Sequence, residues 1–173
     1  LTGETDTTAT ANPKAYTGFT FDGTVEGTVA SGNIAGDGSL VLKLYYTRNS
    51  YDVTYAYTGT VPADASALPE KAAVKYGASV TVAEAATAKG HTFSGWSTGD
   101  FTMPAQDVEI TGSFTANGDT AYTVEHYQQN LAGDGYDLVE VDTEHLTGET
   151  DTTATANPKA YTCLLYTSDA ADE

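Results

Sequence analysis

Histidine is the residue type in this chain that most often binds metals or transfers protons near neutral pH. The chain contains three, His91, His126 and His145, and each lies in a segment with a strand-like pattern. No two of them have the spacing of a zinc site, which brings three or four ligands to one ion. We interpret all three as packed or solvated side chains, and we predict no metal site and no cofactor.

Two aspartates, Asp37 and Asp134, each lie between two glycines and resemble parts of calcium-binding loops. Such loops supply several oxygen ligands in a fixed order, and the neighbouring residues do not provide them. Aspartate and glycine are also the residues that tight turns favour. We therefore interpret both Gly-Asp-Gly segments as turns.

Nucleophilic and sugar-binding chemistry have equally little support. Ser94, His91 and Asp100 could be combined as a triad, but no nucleophile-elbow motif surrounds the serine. Trp96 could stack on a sugar ring, although a lone tryptophan in a small β module is more often part of the core. The acidic stretch Glu140–Glu149 is most simply a solvated face. We predict a protein that is not an enzyme, with no catalytic residue and with its ligand-binding residues unknown.

The elements that would position these residues are strands. Apolar and polar residues alternate through Leu40–Tyr46, Tyr51–Tyr57 and Val108–Phe114, and this period of two predicts half-buried strands. Gly133–Gly135 predicts a turn, after which Tyr136–Val141 returns as a hairpin partner. The predicted fold class is mainly β, with α+β as the alternative.

An identical repeat organises the chain, because Leu1–Thr17 returns unchanged at Leu146–Thr162. An offset of 145 residues (146 minus 1) indicates a window of a tandem array in which one period joins two unlike modules. We expect joints near Asn49–Ser50 and Asn117–Gly118. The predicted modules are the C-terminal part of one type (1–49), a complete second type (50–118) and the N-terminal part of the next copy of the first (119–162).

The last eleven residues, Cys163–Glu173, interrupt the second copy of the repeat. They resemble, residue for residue, the translation of a transposase sequencing adapter, and residues of this origin are left out of fold reasoning. This exclusion removes the only cysteine, so neither a disulfide nor a cysteine-based zinc site is expected.

Charge argues against two classes of partner. The formal net charge is −17, and −14 remains without Asp169, Asp172 and Glu173. So negative a chain lacks the basic surface that nucleic acids bind, and an anionic membrane would repel it. The sequence also has no apolar run long enough to span a membrane. We therefore predict neither nucleic-acid binding nor membrane contact.

Several strings resemble repeat modules of bacterial surface proteins. YTVEHYQQNL, LTGETDTTATANPKAYTGF and SLVLKLYYTRN resemble the mucin-binding-protein (MucBP) type and related internalin B-repeat modules. YDVTYAYTGTVPADASALP, GHTFSGWST and FTMPAQDVEITGSFT resemble SHIRT-type and internalin B-repeat modules. Together these resemblances cover Leu1–Thr162.

The resemblance implies a β-grasp-like module that alternates with a second compact β-rich module. It also implies an extracellular, cell-wall-anchored protein of a Gram-positive bacterium. The leading expectation is a stalk or spacer of an adhesin, whose partners are neighbouring repeats of the same chain. The alternative is a module that binds host or microbial glycans or glycoproteins of the mucin type. A groove lined with exposed aromatic residues would favour the alternative.

Overall fold

The computed structural model describes residues 4–161. About 38% of the described residues are in strands and none is in an α-helix, which confirms the predicted mainly β fold. The elements are β1 Thr8–Thr10, β2 Phe19–Phe21, β3 Ser31–Asn33, β4 Tyr46–Arg48, β5 Ser50–Thr58, β6 Ala72–Lys75, β7 Ser79–Val80, β8 His91–Phe93, β9 Phe101–Thr102, β10 Val108–Ala116, β11 Thr120–Val124, β12 Tyr127–Gln129, β13 Tyr136–Leu138, the 3-10 turn η1 Glu140–Asp142, and β14 Glu144–Gly148.

The chain divides into two compact units. The first comprises the described residues up to Lys89 together with Phe93–Phe114, and the second comprises Gly90–Thr92 and the residues from Thr115 onward. The two units are groups of residues with many contacts among themselves. They do not test whether 1–49, 50–118 and 119–162 fold as separate modules, so that division stays a prediction.

The largest sheet has four strands in the order β6-β5-β10-β8. β5 and β10 are parallel, with Val53 opposite Val108 and Tyr55 opposite Ile110, whereas β6 is antiparallel to β5. Parallel neighbours need a crossover connection, which is most often a helix. Here short strands and loops make that connection between β5 and β10.

The core of the first unit is small and lies on one face of this sheet. Val53, Val80, Met103 and Ile110 form its buried cluster. On β10, Ile110 and Gly112 are buried and alternate with half-buried neighbours, whereas on β5 Val53 is buried and the residues from Thr54 to Tyr57 are all half-buried. Both strand predictions, Tyr51–Tyr57 and Val108–Phe114, are confirmed, because the segments lie within β5 and β10. Burial of apolar side chains on one face is the main favourable contribution to the folding of such a sheet.

The remaining sheets are pairs of short strands: β1-β3, β2-β4, β7-β9, β11-β14 and β12-β13. The last of these corresponds to the predicted hairpin, in which Gln129 faces Tyr136 across the turn that contains Gly133. The predicted returning strand, Tyr136–Val141, is too long, because β13 ends at Leu138 and the chain then forms η1. This glycine has φ +78°, a conformation that glycine adopts without steric cost.

One strand prediction is wrong. Leu40–Tyr46 does not form a continuous strand: Lys43 makes an isolated bridge to Val29, and β4 begins only at Tyr46. The alternation itself is present, since Leu42 and Leu44 are half-buried while Val41 is 61% exposed. A ladder needs a partner strand along its length as well as an alternating face, and this segment has a partner at one position only.

No helix among the described residues is long and apolar enough to cross a membrane. The interpretation of Cys163–Glu173 as adapter-derived falls outside the described residues.

Candidate functional site

The three histidines lie in different surroundings. His91 is on β8 with Nε2 3.6 Å from Asp151 Oδ2, and His126 Nε2 lies 3.4 Å from Glu144 Oε1. His145 is on β14, where Nδ1 lies 3.4 Å from a threonine hydroxyl. Among residues 4–161, no group of three or more His, Cys, Asp or Glu side chains is arranged to hold a metal ion.

Ser94 and Asp100 both bond to the backbone. Ser94 Oγ donates to the Gly95 carbonyl at 2.8 Å and accepts the Ser113 amide at 3.0 Å. Asp100 Oδ1 accepts the Val82 amide at 2.8 Å. These bonds stabilise loops beside the sheet, which is a structural use of both side chains.

The two Gly-Asp-Gly segments are turns. Asp37 Oδ1 accepts the Ser39 amide at 3.0 Å, and hydrogen bonding from Ser39 lowers the pKa of the Asp37 carboxyl. Asp134 Oδ1 accepts Asn130 Nδ2 at 2.8 Å across the hairpin turn. Each carboxylate satisfies donors of its own loop, which is how aspartate stabilises turns.

Trp96 lies within a cluster of aromatic rings. Its ring centroid is 4.9 Å from those of both Tyr55 and Phe93, each edge to face, and Tyr57 stacks at 5.8 Å. The indole Nε1 donates to the Glu84 carbonyl at 2.9 Å. Packing on several rings together with a satisfied N–H is typical of a core tryptophan.

The acidic stretch is more than a solvated face. Lys159 Nζ lies 3.1 Å from Glu144 Oε1 and 3.3 Å from Asp142 Oδ1. The hydrogen bond to Lys159 lowers the pKa of Glu144, and the hydrogen bond to Tyr161 is the main cause that lowers the pKa of Asp142. We call Asp142, Glu144, Lys159 and Tyr161 the carboxylate cluster.

Exposed aromatic residues line a shallow depression in the first unit. Tyr16 is 51% exposed, Phe19 36% and Tyr45 39%, and with Tyr46 and Leu44 they line an open cavity of about 520 Å³. The interpretation of the sequence singled out Trp96 for sugar stacking and overlooked these residues. Their clustering depends on the pairing of β2 with β4 and was therefore not readable from spacing.

The first joint is a single asparagine. Asn49 separates β4 from β5, its N–H donates to the Gly18 carbonyl at 2.9 Å, and its carbonyl accepts the Tyr76 amide at 2.8 Å. Its Oδ1 accepts the Thr20 hydroxyl at 2.7 Å. The residue is thus bonded to the segment before it and to the segment after it.

The second joint repeats this arrangement with other residues. The Asn117 N–H donates to the Gly90 carbonyl at 2.8 Å, and its carbonyl accepts the Thr150 amide at 2.9 Å. Its Oδ1 accepts the Thr92 hydroxyl at 2.7 Å. At both joints, therefore, an asparagine bonds a glycine, the threonine two positions later, and an amide from another part of the chain.

The joint glycines leave no room for a side chain. Gly18 has φ +78°, and a Cβ built on it would collide with the Tyr76 ring. Gly90 has φ +67°, and a Cβ there would lie 2.6 Å from Thr150 Oγ1. In each case the crowding residue is the one whose amide bonds the joint asparagine. The signal in the sequence was the pair Gly-Phe-Thr-Phe and Gly-His-Thr-Phe at residues 18–21 and 90–93.

Comparison with protein-family models, with curated proteins and with solved structures finds no match for this chain.

Proposed function

We propose that this chain is a non-catalytic spacer within the stalk of an extracellular, cell-wall-anchored bacterial adhesin, with neighbouring repeats as its partners. The observation that supports the proposal best is the pair of joints at Asn49 and Asn117. The resemblance to MucBP-type and SHIRT-type surface modules supports the cellular setting. The β-grasp-like topology that this resemblance implies for the first module stays a prediction.

A spacer must resist bending where its modules meet. β4 and β5 are separated by Asn49 alone, and β10 and β11 by three residues beginning with Asn117. A flexible linker leaves its backbone groups to water and samples many directions. Here each asparagine makes at least three hydrogen bonds. A protein hydrogen bond contributes about 1 kcal/mol net, so these bonds stabilise one conformation of each joint.

Backbone dynamics test this proposal at the joints themselves. We expect the amides of Asn49 and Asn117 to have nitrogen-15 order parameters of about 0.85, as in rigid strands, rather than below about 0.6. The tip of the β12–β13 hairpin at Asp134, which is exposed, provides the internal comparison for a loop. Order parameters at both asparagines that match those of Asp134 would contradict a stiff spacer.

The second candidate function is binding of a mucin-type glycan, and the aromatic depression around Tyr45 favours it. Exposed tyrosines stack on sugar rings, and a side chain such as Tyr45 combines an apolar face with a polar tip. A glycan array probed with the whole chain tests the candidate. Binding that Tyr45→Ala abolishes and that Tyr136→Ala retains would place this function ahead of the spacer. Tyr136 is 70% exposed and lies outside the depression, so it is the matched control.

A further inference from the structure

The two copies of the identical repeat have the same local turn. Asp6 and Asp151, which are equivalent, have φ +65° and +62°. Thr7 Oγ1 donates to the Glu4 carbonyl at 2.6 Å, and Thr152 Oγ1 donates to the Glu149 carbonyl at the same distance. The local sequence therefore fixes this turn wherever the repeat occurs.

After the turn, the first copy bonds to the segment that follows it. β1 pairs with β3, and the Ala11 amide donates to the Ala30 carbonyl at 2.8 Å. The Lys14 amide donates to Tyr46 Oη at 2.8 Å. These partners all belong to Gly18–Asn49.

The second copy bonds instead to the segment that precedes it. Thr153–Thr155 has the same sequence as β1 but forms no strand, although it is within the described range, and all its residues are exposed. The Lys159 side chain contacts the carboxylates of Asp142 and Glu144. Residues 144–148 pair with β11.

The two sets of contacts use different atoms of the same residues. Lysine uses its backbone amide in the first copy and its Nζ in the second. The tyrosine ring packs edge to face on Tyr46 at 4.8 Å in the first copy. In the second copy, burial and then the interaction with Asp142 raise the pKa of the equivalent Tyr161. Tyr16 is 51% exposed and the equivalent Tyr161 44%. Among the described residues, the first copy therefore contacts the segment that follows it, and the second copy contacts the segment that precedes it.

We propose that residues 153–161 form a binding surface for the segment Gly18–Asn49 of a second copy of this repeat. One copy of the repeat then becomes the central element of a composite module. It contacts β11, Asp142 and Glu144 on one side, and β3 and β4 of the second copy's segment on the other. The proposal concerns how repeats assemble and does not depend on the spacer function.

The test is a chain in which Gly18–Asn49 follows Thr162 in place of Cys163–Glu173. Hydrogen exchange of the Ala156 and Lys159 amides reports the new contacts, because these residues are equivalent to Ala11 and Lys14. We expect both amides to exchange at least about 100-fold more slowly than in the original chain, because each gains a hydrogen bond that must open before exchange. Ala11 and Lys14 of the same molecule provide the reference rates.

Two further chains make the result specific. With Tyr46→Phe in the appended segment only, we expect Lys159 to return to fast exchange while Ala156 stays protected, since only the hydroxyl acceptor is removed. A segment of scrambled sequence should protect neither amide. Exchange of Ala156 and Lys159 in the extended chain at the rates of the original chain would overturn the proposal.

Discussion

At the scale of single residues, the joint asparagines combine a backbone that bonds on both sides with a side-chain oxygen that accepts a hydroxyl. Asn49 and Asn117 lie in segments that read as ordinary polar linkers, and only their partners distinguish them. Gly18 and Gly90, which accept no side chain, tolerate substitution less well than the asparagines, because each combines a positive φ with a close neighbour.

Gly18→Ala and Gly59→Ala separate the effect of a positive φ from the effect of a close neighbour. Both glycines have similar φ, +78° and +74°, but only Gly18 has a neighbour within 4 Å, the Tyr76 ring. We expect Gly59→Ala to lower the free energy of unfolding by about 1–2 kcal/mol through the left-handed backbone alone. Gly18→Ala should cost more, since the Tyr76 ring must also move. Urea unfolding followed by tyrosine fluorescence measures both, and equal losses would contradict the close packing at this joint.

Lys159→Met tests the carboxylate cluster. The pKa of Glu144 is lowered from 4.5 chiefly by its hydrogen bond to Lys159, so this contact stabilises the fold above pH 4.5 and is lost as the pH falls through the lowered pKa. We expect the substitution to raise the pKa of Glu144 towards 4.5 and to make the unfolding midpoint less sensitive to acid. A carbon-13 titration of the Glu144 carboxyl measures the shift. Glu109, whose partners do not include Lys159, is the control carboxylate, and an unchanged Glu144 titration would show that the contact does not persist in solution.

At the scale of elements, the four-stranded sheet depends on close approach of β8 to β10. A Cβ added to Gly112 on β10 would collide with Phe93 Cζ, so only glycine leaves room for this aromatic ring beside the strand. This explains a glycine in the middle of a strand, where its conformational freedom is otherwise unfavourable.

We expect Gly112→Ala to lower the free energy of unfolding by about 1–3 kcal/mol, the usual cost of overpacking. Gly118→Ala is the matched control, because nothing lies within 4 Å of a Cβ at that position. Thermal unfolding followed by near-ultraviolet circular dichroism reports both the stability and the aromatic environment. A Gly112→Ala protein with an unchanged aromatic signal and an unchanged melting temperature would contradict the tight contact.

At the scale of the whole molecule, the spacer proposal predicts how size grows with the number of periods. Small-angle scattering on chains of one, two and three periods should give a maximum dimension that rises in proportion to period number, as in quasi-one-dimensional repeat proteins. Replacing both joint asparagines with glycine in the same chains is the control, since flexible joints make the size grow more slowly. A radius of gyration that grows as that of a compact globule would exclude the spacer.

Alternating patterns predicted strands correctly where the partners were also nearby. Tyr51–Tyr57 and Val108–Phe114 became β5 and β10 because each lies beside another strand along most of its length. Leu40–Tyr46 has an equally clear alternation but meets Val29 through a single bridge. The period of the apolar residues determines which face of a segment is apolar. Pairing depends on whether the fold places another strand next to that segment.

The sequence by itself determined what is local in this protein: the mainly β class, the Gly-Asp-Gly turns, and the turn at Glu4–Thr7 that recurs unchanged in the second copy. It also revealed the repeat. Only the tertiary structure decided that Thr8–Thr10 is a strand while the identical Thr153–Thr155 is not. The reason is that a turn is closed by hydrogen bonds within a few residues, but a strand takes its hydrogen bonds from a partner that can lie anywhere in the chain.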